Sequence, residues 1–241
     1  MPSSRTNLIP TIIHLIKQVR PASILDVGVG FGKWGHLFRE YTDIIASEHE
    51  PARYHRDNWQ VRIDGIEGFP DYLTPMHHFL YDQIHVGDMC QLIRTLPTYD
   101  VIFLGDVIEH VDKETGHAFL RDCVAHTHKA VIISTPKFET NQGILNANDL
   151  ECHHSLWSER DFAAHPGCIA KAVDGATLVA VIVKAGVDPP ICEPERHVRA
   201  APADPPQRMS RPRRFARWLL VRLLGWRNFQ RLQARRQDQR A

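Results

Sequence analysis

Cysteine is scarce and scattered in this chain. The five among 241 residues (Cys90, Cys123, Cys152, Cys168, Cys192) are odd in number and form no Cys-x-x-Cys pair. That argues against a disulfide framework and a structural zinc site, and for a reducing cytosol. Internal repeats are absent, and so is any apolar run long enough to span a bilayer. Residues 8–19 come nearest, but His14, Lys17 and Gln18 interrupt them and no small-residue cleavage site follows. They read as a helix stopped by Pro21, not as a signal peptide. Acidic residues are nearly missing from the C-terminal end. Residues 208–241 hold eleven arginines against Asp238, a net charge of +10, while the remainder carries −9. An acidic body disfavours nucleic acid as its substrate unless the tail binds it.

With 43% apolar and 24% charged residues, the composition is that of a soluble globular protein, long enough for one α/β domain and an appendage. The chain is organised around residues 24–35, Ile-Leu-Asp-Val-Gly-Val-Gly-Phe-Gly-Lys-Trp-Gly. A short apolar strand breaks into alternate glycines and runs on into a helical pattern through Leu37, Phe38 and Tyr41. Gly28, Gly30 and Gly32 remove β-carbons where the backbone turns and approaches a ligand. The helix start then offers unpaired N–H groups and a positive dipole end. Two readings compete. Gly30, Gly32 and Gly35 satisfy the dinucleotide pattern G-x-G-x-x-G, and Gly28, Gly30 and Gly32 with Asp26 ahead give Asp-x-Gly-x-Gly-x-Gly. Asp26 repels a pyrophosphate and attracts an amino group, which favours a zwitterionic amino-acid moiety.

Further strand ends carry acids. Glu48 follows an apolar pair at nearly the usual distance from the glycines, whereas Glu67 ends a better strand, residues 61–67. Strand propensity favours Glu67, with residues 48–60 as an inserted helix or loop. Residues 83–88 form a third strand ending in Asp88, which also suits a helix N-cap. Residues 101–104 are continuously apolar, as expected of a central parallel strand, and run into Asp106-Val-Ile-Glu-His110. A helix from 112–114 and a fifth strand at 130–134 follow. Acids at successive strand ends describe a ligand crevice at the carboxyl edge of a doubly wound sheet.

The 26–32 stretch closely resembles motif I of the class I S-adenosyl-L-methionine (SAM)-dependent methyltransferases, and 100–110 resembles the segment after that family's fourth strand. The resemblance covers residues 8–186 and implies a mostly parallel seven-stranded sheet whose last strand inserts antiparallel. It implies that Asp26, Gly28, Gly30 and Gly32 hold the methionine portion of SAM and Glu67 its ribose. Asp88 and the Met89 N–H would meet the adenine, and the backbone near Gly105 and Asp106 the amino group. The late arrival of Glu67 departs from the family's spacing.

Residues 151–157, Glu-Cys-His-His-Ser-Leu-Trp, are the densest reactive cluster. Neighbouring residues rarely converge on one ion and no second ligand pair is apparent, so no metal is expected. The segment reads as a wall of the acceptor pocket. His110, then His154 and His153, are the candidate bases, since histidine titrates near neutrality. Two strands around an Asp174-Gly175 turn read as a terminal hairpin. Residues 187–210 are Pro-rich and read as a linker, which leaves 1–186 as the methyltransferase domain and 211–241 as an Arg-rich amphipathic helical tail. Over 211–232 its Trp, Leu and Arg residues suit a membrane surface. The expected function is methyl transfer to an oxygen or nitrogen of a small, lipid-linked or glycan-linked acceptor, in the cytoplasm or at the inner membrane face. A non-catalytic SAM-binding module tethered at a membrane and an NAD-dependent oxidoreductase are the alternatives.

Overall fold

The structure, a computed structural model, describes residues 4–45, 50–138, 148–173 and 175–190. The chain divides into two compact units, Met1–Pro194 and Glu195–Ala241, and the second lies wholly outside the described residues. So do Glu48, Asp174, the Pro-rich segment from 191 on and the amphipathic tail.

Seven strands form one sheet: β1 (Ser23–Val27), β2 (Arg62–Glu67), β3 (Gln83–Val86), β4 (Tyr99–Gly105), β5 (Thr127–Pro136), β6 (Cys168–Val173) and β7 (Thr177–Val183). Their order across it is β3-β2-β1-β4-β5-β7-β6. The first five run parallel, and β7 lies antiparallel between β5 and β6. This is the doubly wound, mostly parallel sheet with a C-terminal antiparallel hairpin that the sequence implied. The helices are α1 (Ile9–Val19), α2 (Lys33–Arg39), α3 (Pro75–Leu80), α4 (Met89–Leu92), α5 (Lys113–Ala125) and α6 (Glu159–Phe162). None of the described helices is long and apolar enough to cross a membrane.

The period of two along each strand divides the core between the two faces. Ile24, Ile63, Val101 and Phe103 pack on one side with residues of α1, α2 and α3, including Ile12, Ile16, Phe38 and Leu80. Leu25, Val27, Ile102 and Leu104 pack on the other with Phe119, Leu120, Cys123 and Phe162 from α5 and α6. Strand β4 is buried on both faces, which explains its unbroken apolar run. Because β1 pairs with β2 on one side and β4 on the other, the chain leaves it in both directions. A crevice opens at that switch point, beyond the carboxyl ends of the strands.

Two helix starts are capped by aspartates, of which the sequence suggested Asp88. The Asp112 carboxylate caps α5 by accepting the Thr115 N–H at 2.9 Å. Asp88 likewise caps α4, accepting from the Cys90 N–H at 2.8 Å. The inserted segment after residue 49 forms two single 3-10 turns, Pro51–Tyr54 and Arg56–Asn58, rather than a longer helix.

Candidate active site

The loop after β1 is held by its neighbours on every side. The Gly28 and Val29 N–H groups donate to the Ile66 carbonyl at 2.9 and 3.1 Å, and Gly32 N–H donates to the Val29 carbonyl. Gly30 N–H donates to Glu67 Oε2 at 2.8 Å, while Glu67 Oε1 accepts from Phe69 N–H at 2.8 Å. The His77 ring adds a bond from Nε2 to the Gly30 carbonyl at 3.0 Å. Its Nδ1 accepts from the Thr74 N–H, so Nε2 carries the proton. His77 is buried and gave no signal in the sequence.

Two glycines are required by space. A β-carbon on Gly28, whose φ is +74°, would lie 2.5 Å from Val107 Cγ2. One on Gly35 would lie 2.2 Å from Tyr81 Cζ. Gly35 thus admits the Tyr81 ring, whose hydroxyl accepts from the Gly35 N–H at 3.1 Å. The third glycine of the dinucleotide pattern serves packing here.

That hydroxyl also explains where Asp26 goes. Strand alternation turns the Asp26 side chain to the α1–α2–α3 face, one residue short of the strand end. There it is 1% exposed and accepts from Tyr81 Oη at 2.6 Å. Asp26 is absent from the cavity wall, and so is Gly32, the N-cap of α2. The Asp26 carboxylate takes part in a bond that fastens β1 to Tyr81, the C-cap residue of α3.

Burial raises the Asp26 pKa to about 7, against the hydrogen bond from Tyr81 that lowers it, with Glu67's charge adding a further rise. The unfolded chain releases this proton near pH 4, so the folded state holds one proton more between about pH 4 and 7. Stability therefore falls as pH rises through that window, by up to about 4 kcal/mol. Asp26→Asn should gain stability relative to the parent at pH 8 and lose that advantage near pH 4. Urea titrations at both pH values check this, and a difference that does not change with pH would contradict it.

The crevice itself is a cavity of about 430 Å³, within the ~300–1,000 Å³ range of small-molecule sites. Gly28, Gly30, Glu67, Asp88, Met89, Asp106 and His110 all line it. Glu67 ends β2, is 6% exposed, and burial raises its pKa against the backbone N–H bonds that lower it. Asp106, just past β4, sits at φ 56°, in the left-handed region that aspartate tolerates better than most residues. Its Oδ1 accepts from Ser134 Oγ at 3.2 Å, and burial raises its pKa. Lys33 stands on the same wall and donates to the Ser4 carbonyl, and Trp34 Nε1 donates to Ser4 Oγ at 3.0 Å. Asn148, Leu150 and Glu151 also line the cavity, with Tyr72 Oη donating to Glu151 Oε1 at 3.0 Å. Tyr72, Asn148 and Leu150 gave no signal in the sequence, whereas Glu151 opens the segment read there as a wall of the acceptor pocket.

The histidines separate. His110 lines the cavity and donates from Nδ1 to the Cys152 carbonyl at 3.1 Å, which leaves Nε2 unprotonated in the neutral ring. Burial lowers its pKa. His153 packs edge-on against His110, with ring centroids 4.8 Å apart, but is off the cavity wall. His154 is exposed and is also off the wall.

No family model matches the chain, and no curated protein matches it. Solved structures of methyltransferases do resemble it. The methyltransferase domain of bacterial CtHen1-CN is 18% identical, over 74% of this chain and 98% of that one, with a TM-score of 0.48. SAM-bound CalS10, an amino pentose methyltransferase from Micromonospora echinaspora, is 17% identical over 72% and 89%, with a TM-score of 0.44. An O-methyltransferase family protein from Burkholderia thailandensis is 12% identical, with a TM-score of 0.49. The match covers 74% of this chain and only 56% of that one.

Proposed function

We propose that the chain transfers a methyl group from SAM to an oxygen or nitrogen of a small acceptor. The observation that carries this reading is the charge of the cavity. Glu67, Asp88, Asp106 and Glu151 line it, against Lys33. Such a wall attracts a sulfonium and an ammonium and repels a pyrophosphate. A dinucleotide site also needs loop N–H groups aimed at phosphate. Here those of Gly28 and Val29 serve the Ile66 carbonyl, and that of Gly30 serves Glu67. The oxidoreductase alternative is therefore the weaker fit.

The residues suit SAM in turn. Each Glu67 oxygen accepts one loop N–H and keeps a further lone pair for a ribose hydroxyl. Asp88 and Met89, at the end of β3 and the start of α4, would hold the adenine. Gly28, Gly30 and Asp106 would flank the methionine portion. SAM supplies an electrophilic methyl group, so the protein's share is alignment of the acceptor and control of its proton. We assign the unprotonated Nε2 of His110 to the acceptor's nucleophilic end of the cavity. Asp26 acts as a positioning residue, through Tyr81 and Gly35.

Calorimetric titration with SAM, S-adenosylhomocysteine and NAD(H) tests the reading. Micromolar binding of both adenosyl ligands, and none of NAD(H), is expected. Binding of NAD(H) alone would overturn it.

A further inference from the structure

Glu109 sits in a 3-10 turn, Ile108–His110, directly after β4. Its carboxyl group is 2% exposed. Oε2 accepts from Thr135 Oγ1 at 3.0 Å, while Oε1 has no hydrogen-bond partner among the described residues. A buried oxygen in that condition is costly whether the group is ionised or protonated. Ionised, it has no cationic partner among the described residues. Protonated on Oε2, it can donate to Thr135 Oγ1, but Oε1 still lacks a donor among the described residues.

The missing partner is indicated by what surrounds it. One carboxylate oxygen of Glu109 and a ring nitrogen each of His110 and His153 lie within 4.8 Å of one another. These three side chains have to close by less than roughly 1 Å each to reach the ~2.1 Å bonds of a transition-metal ion. Both imidazoles are suited to ligation. The Nδ1–H of His110 is anchored on the Cys152 carbonyl, which orients the ring and leaves its other nitrogen as the lone-pair donor. His153 packs edge-on against that ring, with centroids 4.8 Å apart, which brings its own ring to the same place.

The loop that brings His153 there is tied to Glu109 itself. The His154 and Ser155 N–H groups donate to the Glu109 carbonyl at 2.8 and 3.0 Å. Ser155 Oγ donates to the Val111 carbonyl at 2.7 Å, and Trp157 Nε1 to that of Ile108 at 3.2 Å. The three groups are therefore held together before any ion arrives. The spacing argument against a metal missed this set, because its second pair of ligands comes from the turn after β4, far away in sequence.

We propose that Glu109, His110 and His153 form a binding site for a divalent transition-metal ion at the wall of the cavity. Two imidazoles and one carboxylate leave coordination positions open, the arrangement of catalytic rather than structural sites. His110 belongs to the cavity wall, so those positions are available to an acceptor. Resting on the methyltransferase reading, the site narrows the acceptor to one that presents an oxygen. A hydroxyl bound to the ion releases its proton to water closer to neutral pH than a free one. His110 then acts by holding the ion, and not by taking the proton.

The test uses the full chain, stripped with chelator and dialysed against Co²⁺, Zn²⁺ and Mn²⁺ in turn. One ion per chain is expected for at least one of the three metals, and with Co²⁺ a visible absorption band from the imidazole ligands. His153→Ala and Glu109→Gln should each weaken binding at least ~10-fold, and His154→Ala should leave it unchanged. His153 is half-buried, so its variant keeps the test meaningful if Glu109→Gln does not fold. Absence of a stoichiometric ion, or equal binding by parent and His153→Ala, would overturn the site. SAM titration of the metal-free protein separates the two ideas. SAM binding without metal binding removes only the site, and metal binding without SAM binding removes only the methyltransferase reading.

Discussion

Glu67→Gln should lower the affinity for SAM by about two orders of magnitude while the sheet stays folded. A hydrogen bond to an ionised group contributes ~1.5–3 kcal/mol, and in the proposed reading the ribose would offer two hydroxyls to this carboxylate. The amide does further harm at its nitrogen, which cannot accept an N–H. Either Gly30 or Phe69 then loses the partner it has at 2.8 Å. Calorimetry with SAM, beside circular dichroism to confirm the fold, reads the effect. An unchanged dissociation constant in a folded variant would remove Glu67 from the site. Because burial raises the Glu67 pKa, SAM binding should also weaken on acidification earlier than an ordinary carboxylate would predict.

The largest effect on stability is expected at Arg39, the last residue of α2. Its guanidinium is 1% exposed and meets acceptors on all sides. Nη1 donates to Asp43 Oδ2 at 2.7 Å and to the Val61 carbonyl at 2.5 Å. Nη2 donates to the Leu80 carbonyl at 3.0 Å and Asp82 Oδ2 at 3.1 Å. Trp59 covers it, with the ring centroid 4.4 Å away. Asp43 is fully buried, so Arg39→Ala strands a carboxylate without its cation. Breaking a buried pair from one side costs ~3–5 kcal/mol, a large share of the ~5–15 kcal/mol that holds a domain folded. Urea denaturation measures it, and a loss below ~1 kcal/mol would contradict the argument. Replacing both partners by apolar residues, as in Arg39→Met with Asp43→Leu, should recover much of the loss. The cluster ties α2 to the segments entering β2 and β3, so loosening it should also disturb the glycine loop that α2 continues.

Much of this site is legible in the sequence because it depends on local pattern. Apolar runs ending in an acid marked β2 and β4, and alternate glycines marked the turn between β1 and α2. Glu67, Asp88, Met89, Asp106 and His110 lie on one cavity because parallel strands all end on the same edge. Asp26 shows where that logic stops. Its position near a strand end suggested a ligand contact, but the period of two sends its side chain sideways, to a tyrosine from another element.

The sequence alone determined the strands, their acidic ends and the glycine turn, since backbone geometry and burial on alternate faces are written in short-range spacing. The tertiary structure alone decided which side chains share a space. Tyr81 reaches Asp26, His77 holds Gly30, and His153 meets Glu109 and His110 across the turn after β4. Those meetings depend on how distant loops pack over the sheet's edge, and nothing in the periodicity of one segment encodes the position of another.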